Sequence, residues 1–188
     1  MQLYSDIRTM MSLGPNSLNF TRNTSIWKSL EKELSELFRS KIDIIFPDEW
    51  NEEFYKWYQE IENIAFRKDL RYSFEEVKNK LTNNDILFFF ILSNKHPEAF
   101  ILGYTCKMGL KKLFFVDTIA VRKSAQGIGT ILLNYLRAWL QKENYSGMKV
   151  YTEEIDEKSI RLRHFYEKLG FSLETREDDG NLIMILWF

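Results

Sequence analysis

Between Phe115 and Thr130 the chain reads FVDTIAVRKSAQGIGT: an apolar strand, a polar turn, then Gly127 and Gly129 opening a long amphipathic helix. That order leaves several free backbone N–H groups at a helix N-terminus, where the helix dipole and the amides together hold an anion such as a phosphate. A nucleoside-triphosphate loop would need Lys after the second glycine, and Thr130 stands there. A dinucleotide fingerprint would need a third glycine where Leu132 lies, in a strand opening a parallel series. Here the strand follows two hairpin-like ones. A plain strand-to-helix turn stays open from this segment alone.

The helix that follows is the best patterned of the chain. Ile128, Ile131, Leu132, Tyr135, Leu136, Trp139 and Leu140 recur at helical spacing over about residues 127–144. Upstream, Ile26, Leu30, Leu34, Leu37 and Phe38 mark a first helix, and Ile42 to Phe46 a short strand closed by Pro47. Trp50, Phe54, Trp57, Tyr58, Ile61 and Ala65 line one face of a second helix, and Ser73 with Glu76 forms a capping box for a third ending near Leu81. Asn83-Asn84-Asp85 reads as a turn. Strands are expected over 86–92, 99–107 and 112–121, the first two joined by Ser93-Asn94-Lys95-His96-Pro97. After the long helix come a strand (148–154), a helix (159–169) and a hairpin of 171–176 with 182–188, turning at Asp178-Asp179-Gly180-Asn181. The order specifies a mixed α/β sheet. Residues 1 to about 24 have no sustained period and read as irregular.

At 188 residues with 45% hydrophobic content, one packed domain is expected. A net charge of -1 and short basic clusters give no field for nucleic acid. The N-terminus lacks an apolar leader core and the chain lacks a long apolar run, so neither a signal peptide nor a membrane partner is expected and the cytoplasm is the expected compartment. Cys106 is the lone cysteine, and neither His96 nor His164 is placed to activate it or to share a metal with it.

A second signature, Tyr166-Glu167-Lys168-Leu169-Gly170-Phe171, follows the glycine turn by about forty residues. With it the chain resembles the GNAT superfamily of acetyl-CoA-dependent N-acyltransferases. In that family an apolar-Ala-Val strand end leads into Q/R-x-x-G-x-G/A, matched by Ile119-Ala120-Val121 and then Ser124-Ala125-Gln126-Gly127-Ile128-Gly129-Thr130. The later segment matches Tyr-x-x-x-Gly-Phe. Ser124 replaces the family's Gln or Arg, Ala125 its common Gly, Ser159 its frequent Asn, and Leu162 a small residue. The resemblance covers about residues 42–188 and implies a central, mostly antiparallel twisted sheet flanked by helices. On that basis residues 1–40 are an extension with one amphipathic helix, and residues 41–188 the acetyltransferase domain.

The resemblance implies acetyl-CoA as co-substrate, no metal, and an amine-bearing small molecule or protein as acceptor. Residues 119–121, 124–130, Ser159 and Tyr166 would bind coenzyme A, with an amide of Ile119 to Val121 facing the acyl oxygen. Tyr166 takes the family position of the acid serving the leaving sulfur: a phenol, at about pKa 10, stays protonated where a thiol at about 8.5 begins to ionise. Its helical stripe with Leu162, Phe165 and Leu169 equally fits packing. Glu154 and Asp117 are the two candidate bases, with water as the third route. Glu153, Glu154 and Asp156 form an acidic cluster that would favour a cationic amine. The first helix must bury its stripe somewhere: on its own domain by default, on a second subunit in a homodimer, or over the acceptor cleft. An acyl-CoA-binding sensor without catalysis is the alternative function.

Overall fold

Ile86 to Leu92 is an uninterrupted apolar run, the pattern of a strand covered on both faces. In the computed structural model, which describes residues 25–82 and 85–188, that run is β2 (Ile86–Ser93), near one end of a seven-stranded sheet. Leu87, Phe89 and Ile91 enter one core, while Ile86, Phe88, Phe90 and Leu92 enter the other. The irregular reading of residues 1 to 24, and Asn83 and Asn84 of the predicted turn, lie outside the described residues.

The elements run α1 (Ser25–Phe38), β1 (Ile42–Ile45), α2 (Glu52–Ala65), a one-turn 3-10 helix (Lys68–Leu70), α3 (Phe74–Leu81), β2, β3 (His96–Met108), β4 (Lys111–Val121), α4 (Ile128–Lys142), β5 (Gly147–Thr152), α5 (Leu162–Lys168), β6 (Ser172–Arg176) and β7 (Leu182–Trp187). The sheet order is β1-β2-β3-β4-β5-β7-β6, and only β4 with β5 is parallel. A mixed α/β sheet, mostly antiparallel and flanked by helices, is therefore what forms.

One layer is aromatic. Tyr58 of α2 stacks on Phe100 with ring centroids 4.4 Å apart, and Phe88, Phe90, Ile61 and Val77 complete it; such ring pairs add about 1 kcal/mol beyond burial. The other layer joins α1, α4 and α5 to the sheet. Leu30 and Leu34 of α1 are wholly buried, and Trp27, which the helical stripe did not include, packs on Phe89 and Trp139. The first helix thus buries its face on its own domain.

Several boundaries differ from the expected ones for local reasons. Ser93 pairs with His96, so the β2–β3 turn is only Asn94-Lys95, both at positive φ, a geometry that follows strand twist. The helix expected from residue 159 begins at Leu162, because Ser159 sits at φ 62 in a turn folded on Asp156. The capping box of Ser73 and Glu76 is present with both of its hydrogen bonds.

Candidate active site

The site begins with an extra residue in β4. Val116 pairs with Gly103 and Thr118 with Leu102, leaving Asp117 opposite no partner. Such a bulge reverses the alternation of a strand. Phe114 and Val116 belong to the α1/α4 core, but beyond the bulge Ile119 and Val121 take that side and Ala120 enters the aromatic one. Pairing with β5 ends at the same place: Leu113–Val116 match Gly147–Val150, after which β5 continues only against β7. From Asp117 to Val121 one edge of β4 carries no ladder, and the sheet opens into a wedge.

β4 runs from this wedge into the glycine turn. Ser124, Ala125, Gln126 and Gly127 are exposed, while Ile128 is buried beneath the first turn of α4. Gly127 holds φ 80 as the residue heading α4, without a side-chain cap, and the first turn carries no acidic residue. The first-turn amides of Ile128, Gly129 and Thr130 therefore meet no capping side chain, the state of a helix end that receives an anion. A Cβ on Gly129 would come within 3.6 Å of the Phe165 ring, so α5 lies against this helix end. Ala125 also has positive φ, at 62. That left-handed conformation costs a residue with a Cβ about 1–2 kcal/mol. Arg122, of the basic pair flagged in the sequence, is spent on the fold: its guanidinium pairs with Glu60 and donates to the Pro97 carbonyl at 3.1 Å.

These residues fit the pyrophosphate of coenzyme A, with positive-φ backbone, uncapped amides and no competing carboxylate in the first turn of α4.

Tyr166 lies in α5, nearly buried, between Phe165 and Phe171 with centroids at 5.1 and 5.3 Å. Burial pushes its phenol up to about 12, so it is a proton-bearing hydrogen-bond donor throughout the neutral range. Ser159 occupies the β5–α5 turn. Both candidate bases are tied into ion pairs. Asp117 is buried and accepts from Lys80 of α3 at 2.9 Å and from the Thr118 hydroxyl at 3.1 Å. Glu154, just past β5, accepts from Arg176 at 2.7 Å and Arg163 at 3.3 Å, and the hydrogen bond from Arg176 leads in holding its carboxyl below the usual range. Burial pushes the half-buried Cys106 thiol up, toward its unreactive form. Among the described residues no group of three metal-ligating side chains occurs.

Three features were not read from the sequence. Glu62 of α2 is 2% exposed and accepts the Tyr72 N–H at 2.9 Å, pinning the α2–α3 connection; burial pushes its carboxyl up to about 7. Its signal was legible, because it falls one turn after Tyr58 on an apolar helix face. Lys80 caps Asp117 and lies over the Tyr72 ring. Arg67, just past α2, grips both oxygens of Glu153, just past β5, so the ends of these two elements are tied together.

The family model described as "Acetyltransferase (GNAT) family" matches residues 33–171. The chain belongs to the GNAT acetyltransferase family. Solved structures agree on the GNAT fold. The ribosomal-protein-S18-alanine N-acetyltransferase from Escherichia coli is 21% identical with a TM-score of 0.59, covering 78% of this chain and 93% of that one. Aminoglycoside 6'-acetyltransferase type Ii is 18% identical with a TM-score of 0.62, covering 77% and 96%. An N-acetyltransferase from Thermoplasma acidophilum in complex with coenzyme A is 18% identical with a TM-score of 0.59, covering 79% and 99%. No curated protein sequence matches this GNAT chain at a significant level.

Proposed function

We propose that this chain is an N-acetyltransferase that carries an acetyl group from acetyl-CoA to a primary amine of a small molecule or protein, by direct attack within a ternary complex. The observation that carries the reading is the uncapped N-terminus of α4 set at the end of the unladdered edge of β4. Amides of Gly127, Ile128, Gly129 and Thr130 hold the pyrophosphate, supported by the turn of Ser124, Ala125 and Gln126. Ile119, Ala120 and Val121 offer main-chain groups along the free edge of β4, where an N–H meets the acyl oxygen as negative charge builds on it. Ser159, in the β5–α5 turn, adds a further contact to coenzyme A, and the Tyr166 hydroxyl donates toward the leaving sulfur. Acetyl-CoA supplies the activated acyl group.

The amine must lose a proton to attack. Asp117 and Glu154 remain the protein's candidates; both are ion-paired, and the hydrogen bond from Arg176 leads in holding the Glu154 carboxyl below the usual range. Transfer to water is the simpler route. Neighbouring folds support an amine acceptor by what they are named for: a ribosomal protein's alanine, an aminoglycoside, and a peptide in the NatC complex bound to Gag peptide and CoA.

The second reading, an acyl-CoA-binding module without turnover, draws on the Arg67–Glu153 pair between the ends of α2 and β5. One experiment separates the two. Acetyl-CoA affinity is measured by calorimetry, and free thiol is followed across a panel of amines and peptides. Acetyl-CoA binding with amine-dependent thiol release establishes the transferase, and binding without release from any acceptor establishes the module.

A further inference from the structure

The acidic residues that follow β5 suggest a cationic acceptor when read as a sequence. Their partners argue otherwise. Glu153 gives both oxygens to Arg67, which also reaches Asp69 through its Nε. Glu154 is shared by Arg163 and Arg176. Asp156 turns one carboxylate oxygen onto the backbone amides of Lys158 and Ile160, and Lys158 itself donates to the Ile64 carbonyl. Across the wedge, Asp117 is held by Lys80. At Glu153, Glu154 and Asp117 a second ammonium group on the acceptor would have to displace an arginine or lysine already in place.

Around the Arg67–Glu153 pair three of the exposed side chains are apolar, set among the charged Lys68, Asp69, Glu157 and Lys158. Ile64 is 42% exposed at the end of α2, Leu70 44% in the 3-10 helix beyond Arg67, and Ile155 51% beside Glu154. The Lys158–Ile64 hydrogen bond and the Arg67–Glu153 pair bring these two segments together. A mouth whose Glu153, Glu154 and Asp117 are already paired, and whose rim carries Ile64, Leu70 and Ile155 exposed, favours an acceptor whose amine is its only cation and whose next group is apolar.

Proton chemistry points the same way. With Asp117 and Glu154 both ion-paired, the acceptor that arrives neutral has the advantage. An α-amine, with a pKa of about 8, is neutral in roughly one molecule in five near pH 7.4, and a lysine side chain in only about one in a thousand.

We infer that the acceptor is the α-amine of a peptide with an apolar leading side chain, and that Arg67 sets this preference by occupying Glu153. The inference rests on the acetyl-transfer reading above. Arg67 is a specificity residue here: removing its charge frees Glu153 to bind a second cation.

The test uses the full chain with three acceptors: a short peptide beginning Met-Leu, the same peptide N-terminally blocked with an internal lysine, and spermidine. Thiol release is followed for the unaltered protein, Arg67→Gln, and Arg67→Gln with Glu153→Gln. The free apolar N-terminus is expected to exceed both other acceptors in kcat/KM by at least about tenfold. Arg67→Gln should improve spermidine about tenfold through KM with kcat little changed, and the double variant should lose that gain. Acetyl-CoA affinity should be the same in all three. Preference of the unaltered protein for spermidine or lysine, or a spermidine gain that survives in the double variant, overturns the inference. Acetyl-CoA binding with no thiol release from these three acceptors overturns the inference alone, whereas no release across the wider amine and peptide panel overturns the transferase reading and the inference with it.

Discussion

The two banks of the wedge are built from different materials. On the α4 side the working parts are main chain: Ala125 and Gly127 at positive φ, an uncapped helix end, and a strand edge without a partner. Elsewhere they are long side chains paired across the fold: Arg67 with Glu153 and Lys80 with Asp117 toward α2 and α3, and Glu154 with two arginines at the end of β5. Backbone geometry recognises what every donor of one kind shares. Paired side chains can be exchanged singly, so the acceptor bank is the one free to diverge.

If that division holds, the largest effect comes from the main-chain bank. Gly127→Val puts a β-branched residue at φ 80 and a side chain over the amides. Acetyl-CoA affinity should fall roughly a hundredfold, about 2.7 kcal/mol by calorimetry, and the fold should lose a further 1–2 kcal/mol from the strained turn. Unchanged affinity would break the assignment of the donor bank. Next, Tyr166→Phe keeps the packing between Phe165 and Phe171 and removes only the donor. The kcat should drop about a hundredfold with the acetyl-CoA KM little altered, whereas a purely packing role would leave kcat intact.

Glu62→Gln sharpens the other bank through pH. The folded carboxyl titrates at about 7 against an ordinary 4.5, so the unfolded chain sheds its proton first as pH rises. Stability from this group is full below about pH 4.5, declines through the window to about 7, and stays low above it. Gln can still accept the Tyr72 N–H, so the variant should lose that slope and gain roughly 3 kcal/mol at pH 8 in chemical denaturation. The smallest effect is expected from Ala125→Gly, which relieves the left-handed strain at the cost of a freer unfolded chain; a net gain of up to about 1 kcal/mol in urea melts would fit.

The same division explains what could be read beforehand. Apolar periodicity, with capping and turn signals, located every α-helix and strand among the described residues, because burial of Leu132, Leu136 and Trp139 or of Phe88 and Phe90 is a local pattern with a global reward. The donor bank was legible because glycine advertises the conformations it permits, and Ala125 shows the same conformation taken without glycine. The acceptor bank was not, since Arg67 and Glu153 are 86 residues apart and Lys80 and Asp117 are 37 apart. Nothing in composition says which of several arginines meets which carboxylate. Asp117 illustrates the limit best. VDTIAV reads as a continuous strand, and the bulge appears only when β3 supplies the register through Leu102 and Gly103.

That unpaired residue also governs how this chain can be recombined with its relatives. A chimaera joined within β4 on the N-terminal side of Asp117 inherits one assignment of inward faces, and one joined beyond it inherits the reverse. Deleting Asp117 would make Val116 and Thr118 consecutive opposite Gly103 and Leu102, so Ile119 and Val121 would keep the α4 side and Ala120 the aromatic one, with an unbroken ladder in place of the bulge. A relative without the extra residue is therefore joined to this chain by matching Val116 and Thr118 to Gly103 and Leu102, not by counting residues along β4.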